Sequence, residues 1–288
     1  MILRLVRGDL DATDALDALC AGSGAVIHAA AQVGDAGTLV QFERVNVTGT
    51  RNVVEAAARA GVRRFVQLSS TAVYGRPPRG CVTEAWPTKK IGLPYEDTKT
   101  EAERIAFRRG RILGLQVAAV RPPIIYGPYD KNFLPRAMAA IRGRRFLLID
   151  GGRAPLNVVW VDHVVDVLLL AAGHAGAAGE AFNVMDEVDG RPPSVREVAE
   201  TIAREAGLPR PFLSVPQGVA RVLARGVERG WEIAGKTGAP PLSPFVVTLL
   251  TREVVYDASK AVRVLGWGPR MRAIDGIARF AREAARRI

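Results

Sequence analysis

The chain has 288 residues, of which 48% are hydrophobic and 24% are charged, and its formal net charge is +11. This length suffices for one large domain or two modest ones with a substantial core. The arginines are spread along helical patterns instead of forming one basic stripe with aromatic residues, so we expect no nucleic-acid site. The positive charge instead favours attraction of an anionic cofactor or substrate.

Other sequence patterns argue against a membrane span, a signal peptide and a metal site. The most apolar stretch, NVVWVDHVVDVLLLAAG, is interrupted by charged residues, so no membrane span is predicted. Arg4 and Arg7 interrupt the apolar start of the chain, which is unlike a signal peptide. Cys20 and Cys81 are far apart and lack the spacing of metal ligands. We therefore expect a reduced, cytoplasmic protein without a bound metal.

Short apolar segments alternate with helical patterns through the first two-thirds of the chain. GAVIHAA, RRFVQLSS and LQVAAVRPP are typical of buried strands. NVTGTRNVVEAAARAGV and EDTKTEAERIAFRRG have the periodicity of helices. This alternation, with continuous apolar strands, predicts an α/β fold in which helices cover both faces of a parallel sheet.

The pattern loosens beyond about Asn132, where helical stretches are joined by links rich in proline and glycine. These stretches are FLPRAMAAIRG, VREVAETIAREAG, GVARVLARGVERGWEI and MRAIDGIARFAREAARR. The segment FNVMDE is predicted to be a strand that returns to the main sheet. We expect residues 1–131, rejoined by 157–186, to form the sheet domain and residues 132–288 to form a smaller helix-rich lobe.

One cluster of residues could carry chemistry. Tyr95 and Lys99 are four residues apart at the start of a predicted helix and so share one face. Ser70 ends the strand FVQLSS, at the sheet edge where ligands bind in open parallel sheets. We expect the ammonium to lower the pKa of the phenol from its usual value near 10. Tyr95 could then exchange a proton with a substrate oxygen that Ser70 holds.

Plainer interpretations exist for the individual residues. A strand-end serine is often a turn residue, a tyrosine at a helix start can simply pack, and a lysine there can be solvated. His28 is expected to be a packed strand-end histidine, and His163 and His174 fit no metal pattern. Asp162 and Asp166 are expected to mark a helix start and a polar face, without forming an acid–base pair.

Taken together, Ser70 and the spacing Tyr95-x-x-x-Lys99 resemble the extended short-chain dehydrogenases/reductases, also called the NAD-dependent epimerase/dehydratase group. The flanking segments VRGDL, VIHAAA, VNVTGT, RPPIIYGP and YDASKAVRVLGWGP occur in the family's order over almost the whole chain. The resemblance implies a doubly wound, Rossmann-like fold that binds NAD or NADP. It also implies that Ser70, Tyr95 and Lys99 are catalytic.

The same resemblance implies a set of residues at the cofactor. VRGDL is similar to the family's adenine-contacting turn, VIHAAA to the strand whose end lies against the cofactor, and RPPIIYGP to the segment beside the nicotinamide. The implied cofactor-binding residues are Asp9, Leu10, Ala29, Ala30, Ala31, Asn46, Ser69, Tyr95, Lys99 and Pro122. Lys99 is thereby expected to hold the nicotinamide ribose as well.

One family feature has no counterpart in this sequence. Family members open with a strand, a G-x-x-G-x-x-G turn and a helix that receives the pyrophosphate. Here Gly22 and Gly24 precede a strand, and Met1 falls on what resembles the third strand. We expect about one βαβ unit, roughly 30 residues or more, to be absent. A truncated reading frame is favoured over a compromised relative, and weak NAD(P) binding is expected. The segment ILRLV could pair directly beside AVIHAA.

Three reaction types compete within this family. Sugar 4,6-dehydratases carry an Asp-Glu pair after the strand-end hydroxyl, where this chain has Thr71 and Ala72. Sugar-nucleotide epimerases carry an Arg-Asp pair at the positions of Pro155 and Leu156, although Arg153 lies close by. LNVVWVDHVVDV is more similar to the 3β-hydroxysteroid dehydrogenase and dihydroflavonol reductase branch, whose substrates are apolar ring alcohols or ketones.

We therefore expect an oxidoreductase that moves a hydride between NAD(P) and a secondary alcohol or ketone of a ring-containing small molecule. A sugar-nucleotide epimerase is the first alternative, and an inactive relative acting as a binding module is the second. The resemblance also suggests a homodimer that pairs through the helices VTGTRNVVEAA and EDTKTEAERIA.

Overall fold

A computed structural model describes residues 4–34, 37–188, 191–235, 240 and 242–286. The helices are α1 (Thr13–Cys20), α2 (Leu39–Phe42), α3 (Gly49–Arg59), α4 (Pro94–Leu113), α5 (Phe133–Arg142), α6 (Val161–Gly173), α7 (Val195–Glu205), α8 (Gln217–Ile233), α9 (Pro244–Thr251), α10 (Ser259–Leu265) and α11 (Ala273–Ala285). The strands are β1 (Ala25–His28), β2 (Arg64–Leu68), β3 (Gly80–Val82), β4 (Gln116–Arg121), β5 (Ile124–Tyr126), β6 (Leu148–Ile149), β7 (Val158–Trp160), β8 (Ala181–Asn183), β9 (Ser214–Val215) and β10 (Val254–Tyr256). A π-helical segment, Glu43–Thr48, joins α2 to α3, and a 3₁₀ turn spans Thr71–Tyr74.

The main sheet is parallel and has the order β1-β2-β4-β8. Successive side chains of a strand point to opposite faces of a sheet. Phe65 of β2 accordingly packs in a cluster with α3 and α4, whereas Val66 packs in another with Val164 and Val167 of α6. The predicted α/β fold, with helices on both faces of a parallel sheet, is confirmed.

The return of the chain to the sheet after residue 132 is also confirmed. The predicted strand FNVMDE overlaps β8 at Phe182 and Asn183, and β8 pairs in parallel with β4. A separate apolar cluster joins α5, α7 and α11 around Leu134, Val198 and Ile277. The division into residues 1–131 with 157–186, and 132–288, stays a prediction.

The start of the chain differs from the sequence-based expectation. Residues 4–9 have no regular secondary structure, so the predicted strand next to β1 is wrong over these residues, and residues 1–3 lie outside the described ones. The chain turns at Asp9, whose carbonyl accepts a hydrogen bond from the Ala12 amide (3.0 Å), and enters α1. Arg4 and Arg7 remain exposed, where their charges stay solvated.

No helix in the described ranges is long and apolar enough to cross a bilayer. Across the same residues, no group of three or more His, Cys, Asp or Glu side chains is placed to hold a metal ion. Cys20 is buried and Cys81 is exposed, and both are free thiols.

Helix α4 approaches the sheet closely at Gly110. A Cβ atom at this position would lie 2.3 Å from Val117 Cγ2 and 3.0 Å from the Leu115 carbonyl oxygen. Both distances are shorter than van der Waals contact, so a larger residue would push the helix away from β4. Gly110 therefore sets how tightly the helix that carries Tyr95 and Lys99 lies on the sheet.

We predict that Gly110→Ala lowers the free energy of unfolding by about 1–3 kcal/mol, because the added methyl group overpacks the interface between α4 and β4. The matched control is Gly226→Ala in α8, where no atom lies within 4 Å of the added Cβ. This control should stabilise the protein by about 0.5–1 kcal/mol through helix propensity. Urea unfolding measures both effects, and equal stability of the two variants would contradict the prediction.

Candidate functional site

Two serines follow β2 at the carboxyl edge of the sheet. The Ser69 amide donates to the Val120 carbonyl (2.8 Å), which continues the pairing with β4. Ser70 has an extended backbone, and its hydroxyl accepts a hydrogen bond from the Ala72 amide (3.1 Å) at the start of the 3₁₀ turn. The Thr71 amide donates to the Pro122 carbonyl (3.0 Å). The ends of β2 and β4 thus fix this turn, which we call the serine turn (residues 69–74).

The start of α4 is fixed by its own side chains. Pro94 occupies the first turn, where a missing amide hydrogen costs nothing. The Asp97 carboxylate accepts hydrogen bonds from the amides of Ile91 (2.6 Å) and Gly92 (3.0 Å), which holds the loop that enters the helix. Tyr95 and Lys99 lie one turn apart on this helix, as predicted.

The phenol of Tyr95 meets the serine turn. Its hydroxyl is hydrogen-bonded to the Ser70 side chain, and its ring packs edge-on against Phe42 at a centroid distance of 6.4 Å. Burial raises the pKa of Tyr95, and the hydrogen bond with Ser70 only partly offsets this. The expectation of a lowered pKa is therefore wrong in direction, because loss of water around the hydroxyl disfavours the phenolate.

Lys99 is 4% exposed, and its ammonium donates to the Leu68 carbonyl (2.6 Å) at the end of β2. Burial lowers the pKa of Lys99 to about 8, and the carboxylate of Glu103 opposes this shift. Burial also lowers the pKa of His28 to about 4, with a further contribution from the Lys99 charge. His28 is packed at the end of its strand, as expected, 3.2 Å from the Thr50 hydroxyl.

Ser70, Tyr95 and Lys99 therefore lie together at one sheet edge. Next to them, the Ser69 hydroxyl is buried and has no hydrogen-bond partner among the described residues. A buried hydroxyl without a partner is costly unless a ligand satisfies it. The polar groups of a nicotinamide riboside would satisfy both this hydroxyl and further N–H groups of Lys99. The residues present fit the reactive end of the implied cofactor.

The predicted adenine end lies at the turn before α1. Leu10 packs against the start of α3 at Gly49, where a Cβ atom would come 2.6 Å from Leu10 Cδ1. The Asp9 side chain is exposed, and its carboxylate lies 3.7 Å from the Arg44 guanidinium. An open cleft of about 210 Å³ is lined by Asp9, Leu10, Arg44 and Gln32, among others. Asp9 and Leu10 are thus placed beside an accessible concavity.

The predicted residues after β1 divide into two groups. Ala29 and Ala30 are exposed at the carboxyl end of the strand, and Ala31 is half-buried. Asn46 is buried instead, and its side-chain oxygen accepts from the Gln32 amide (2.7 Å) while its nitrogen donates to the Gln32 carbonyl (3.1 Å). The nitrogen also donates to the Thr98 hydroxyl (3.1 Å). Asn46 thus ties the loop after β1 to α4.

The described residues do not supply a cradle for phosphates. Gly22 and Gly24 lie at the amino end of β1, the edge opposite to Ser70. Within the described ranges, no glycine-rich turn links a strand to a helix at the carboxyl edge of the main sheet. The described residues therefore supply only the predicted nicotinamide end and the predicted adenine turn.

Three further residues at this site were not predicted from the sequence. Glu103 and Arg121 form an ion pair beneath Lys99, and the Asp97 carboxylate organises the entry to α4. The only sequence signal for the pair is that Glu103 follows Lys99 by four residues, which places both on one side of the helix. Asp162 and Asp166 behave as expected: Asp162 accepts from the Trp160 indole (3.1 Å), and Asp166 pairs with Arg270.

Comparison with known proteins adds a family and several relatives. A family model described as the NAD dependent epimerase/dehydratase family matches residues 2–184. The chain is 33% identical to 4-hydroxy-2-methyl-3-oxo-4-farnesyl-3,4-dihydroquinoline-1-oxide ketoreductase of Stigmatella aurantiaca, over 94% of this chain and 80% of that protein. It is 28% identical to 2-alkyl-3-oxoalkanoate reductase of Stenotrophomonas maltophilia (strain K279a), over 97% of this chain and 86% of that protein.

A longer relative and two solved structures extend this picture. Isoform 1 of 3beta-hydroxysteroid-dehydrogenase/decarboxylase of Arabidopsis thaliana is 30% identical over 82% of this chain, which spans 56% of that protein. MoeE5 in complex with UDP-glucuronic acid and NAD is 26% identical with a TM-score of 0.77, covering 99% of this chain and 87% of that chain. DesIV, a dTDP-glucose 4,6-dehydratase from Streptomyces venezuelae with NAD and TYD bound, is 26% identical with a TM-score of 0.73. The match covers 97% of this chain and 79% of that chain.

We predict that removal of the buried ammonium changes how stability depends on pH. The folded pKa of Lys99 (about 8) lies below its ordinary value of 10.5, so the unfolded chain binds more protons between these values. Wild-type stability therefore rises over this window relative to a Lys99→Met variant, by roughly 1–3 kcal/mol. Urea unfolding of both proteins at pH values between about 7 and 10 measures the difference. A stability difference between wild type and Lys99→Met that does not change with pH would contradict the prediction.

Proposed function

This chain belongs to the NAD-dependent epimerase/dehydratase family, and we propose that it is an NAD(P)-dependent oxidoreductase acting on small molecules. It interconverts a ketone and a secondary alcohol of a largely apolar, ring-containing substrate. The observation that carries the proposal is that Tyr95 meets Ser70 one helical turn from the buried Lys99, at the carboxyl edge of a parallel sheet.

The proposed roles follow from the protonation states of these groups. The bound nicotinamide supplies the hydride for reduction or accepts it in oxidation. Tyr95, whose raised pKa keeps its proton at neutral pH, donates that proton to the substrate oxygen as negative charge develops there. The Ser70 hydroxyl holds the same oxygen in place. Lys99 stabilises the phenolate left behind and returns a proton to it, and Lys99 then regains its own proton from solvent.

The cofactor contacts in this proposal are the residues expected from the sequence, with one change. Lys99 and Ser69 would hold the riboside end, Pro122 would contact the nicotinamide, and alanines 29–31 would line the path to the adenine turn at Asp9 and Leu10. The one change concerns Asn46, whose polar side-chain atoms are already hydrogen-bonded to Gln32 and Thr98. Asn46 therefore acts by holding these two residues in place and does not contact the cofactor itself. The proposal covers both NAD and NADP.

The relatives support a ketone or alcohol substrate over a sugar nucleotide. Two of them are named as a ketoreductase and an oxoalkanoate reductase, and a third acts on 3β-hydroxysteroids by its name. The positions expected to carry an Arg-Asp pair in epimerases hold Pro155 and Leu156, and Leu156 is only 2% exposed. Thr71 and Ala72 stand where dehydratases carry their Asp-Glu pair. None of these four side chains can clasp a diphosphate or act as an acid or base.

A sugar-nucleotide epimerase is the second candidate. It is favoured by the fold similarity to MoeE5, solved in complex with UDP-glucuronic acid and NAD. An epimerase returns the hydride to its own substrate, so the two candidates differ in whether the cofactor shows a net change. A binding module without turnover is the third outcome that experiment must separate.

The suggested homodimer stays part of the proposal. Helices α3 and α4 lie side by side, and the ion pair between Arg109 and Glu55 (2.8 Å) links them. Two adjacent helices of this kind can pair with the same two helices of a second copy in an isologous four-helix contact.

We predict that Tyr95→Phe slows ketone reduction by about 10²–10⁴-fold, because the substrate oxygen loses its proton donor. The dissociation constant for NADH, measured by tryptophan fluorescence, should change less than about threefold, since the phenol's hydroxyl contributes little to holding the cofactor. Tyr129→Phe is the matched control, because Tyr129 is 93% exposed, and it should leave both quantities unchanged. Turnover by Tyr95→Phe within about threefold of wild type would overturn the role of Tyr95.

We predict that deuterium from NADH or NADPH labelled at C4 of the nicotinamide appears in the released alcohol, one atom per NAD(P)⁺ formed. Mass spectrometry measures the deuterium in the product, and absorbance at the nicotinamide band measures the NAD(P)⁺ formed. Epimerisation of a sugar nucleotide without net change of the cofactor would support the second candidate instead. Saturable NADH binding without label transfer to any ketone or sugar nucleotide would favour the binding module.

A further inference from the structure

A buried ion pair lies beneath the candidate site. The Arg121 guanidinium, at the end of β4, donates through Nε to Glu103 Oε2 (3.0 Å) and through Nη2 to Glu103 Oε1 (2.5 Å). Arg121 is 5% exposed and Glu103 is 4% exposed. Two parallel charge-assisted hydrogen bonds fix both the distance and the orientation of the carboxylate.

The pair is part of a longer chain of hydrogen bonds. Arg121 Nη1 donates to the Tyr74 hydroxyl (2.9 Å), and that hydroxyl donates to Asn183 Oδ1 (2.6 Å). Tyr74 closes the serine turn, Arg121 ends β4, Asn183 ends β8 and Glu103 lies on α4. One buried network therefore connects the element that carries Ser70 with the helix that carries Tyr95 and Lys99.

Stability alone does not account for this arrangement. Desolvation of two charges offsets most of their attraction, so an apolar pair of similar volume would serve as well. Glu103 has a second neighbour, because it follows Lys99 by one helical turn, and its charge favours the ammonium. Three other charged or titratable groups lie around this part of α4: Tyr95 one turn before Lys99, His28 on β1, which the Lys99 charge reaches, and Arg121 on β4, which pairs with Glu103.

We propose that Glu103 is a positioning residue that keeps Lys99 charged, and that Arg121 holds the Glu103 carboxylate and limits the negative charge that Lys99 experiences. The consequence of this arrangement for turnover rests on the proposed function. Its effect on the charge of Lys99 is present in the protein without ligands. A role confined to packing would give the two residues the same kind of effect. The electrostatic role gives them opposite effects.

Glu103→Gln keeps the shape of the side chain and removes its charge. Lys99 then loses the group that offsets its burial, so its pKa should fall below the wild-type value of about 8. Arg121→Met removes a cation and leaves the Glu103 carboxylate to Lys99 alone, so the pKa of Lys99 should rise. We expect shifts of about one pH unit in each direction, a tenfold change in proton affinity.

The titration of Lys99 can be followed directly, because the chain has only six lysines. NMR of protein labelled with ¹³C at lysine Cε resolves each side chain, and a Lys99→Arg variant assigns the Lys99 signal. The matched control is Glu101→Gln, which removes a carboxylate from the same helix that pairs with Lys90 (2.7 Å). This control should leave the Lys99 titration in place.

If Arg121→Met fails to fold, two other variants still test the proposal. The double variant Glu103→Gln/Arg121→Met removes both charges of the buried pair and so leaves neither partner unpaired, and Arg121→Lys keeps the cation. Lys99 in Arg121→Lys should titrate close to wild type, and Lys99 in the double variant should titrate between wild type and Glu103→Gln. Lys99 titrations that coincide in wild type and Glu103→Gln, or that move in one direction in both single variants, would overturn the proposal.

A second readout separates this inference from the proposed function. Where the protein binds NADH, the alkaline loss of NADH affinity should move to lower pH in Glu103→Gln and to higher pH in Arg121→Met. Opposite shifts of Lys99 in the ligand-free protein, together with no turnover of any ketone, would uphold the inference and reject the function. Turnover of a ketone together with an unchanged titration of Lys99 in both variants would uphold the function and reject the inference.

Discussion

The close contact of α4 with the ends of β2 and β4 is the interaction on which the whole site depends. Gly110 lets the far end of the helix lie directly on β4, and the Glu103–Arg121 pair fixes its middle. At its start, Lys99 donates to a β2 carbonyl and the Tyr95 hydroxyl meets Ser70. A shift of this helix would therefore separate all of the proposed catalytic groups together.

The same contact sets the charges at the site. Burial disfavours every ionised form, so it raises the pKa of Tyr95 and lowers that of Lys99. Ser70 opposes the first shift and Glu103 opposes the second. The outcome is a protonated phenol one helical turn from an ammonium that loses its proton near pH 8, which suits donation of a proton to a ketone oxygen and recovery of that proton afterwards.

The sequence predicted the parts of this site that depend on local periodicity. The strands, the helices and the meeting of Tyr95 with Ser70 follow from apolar patterns and from the geometry of parallel sheets. The direction of the Tyr95 pKa could not be predicted, because it depends on packing around the hydroxyl. The pairing of Glu103 with Arg121 joins two elements across the core without a local signal. The strand predicted at ILRLV is wrong over residues 4–6, because these residues pair with no strand among the described residues.

The central claim is that Tyr95 is held as a proton donor against Ser70, and the titration of its phenol tests it most directly. The chain has five tyrosines, so ¹³Cζ-labelled tyrosine with Tyr95→Phe for assignment isolates the signal. The account predicts that Tyr95 ionises above its ordinary value of 10 in the ligand-free protein, and still higher in Ser70→Ala, which lacks the opposing hydrogen bond. Ionisation of Tyr95 between about pH 6 and 8, or a titration indifferent to Ser70→Ala, would contradict it.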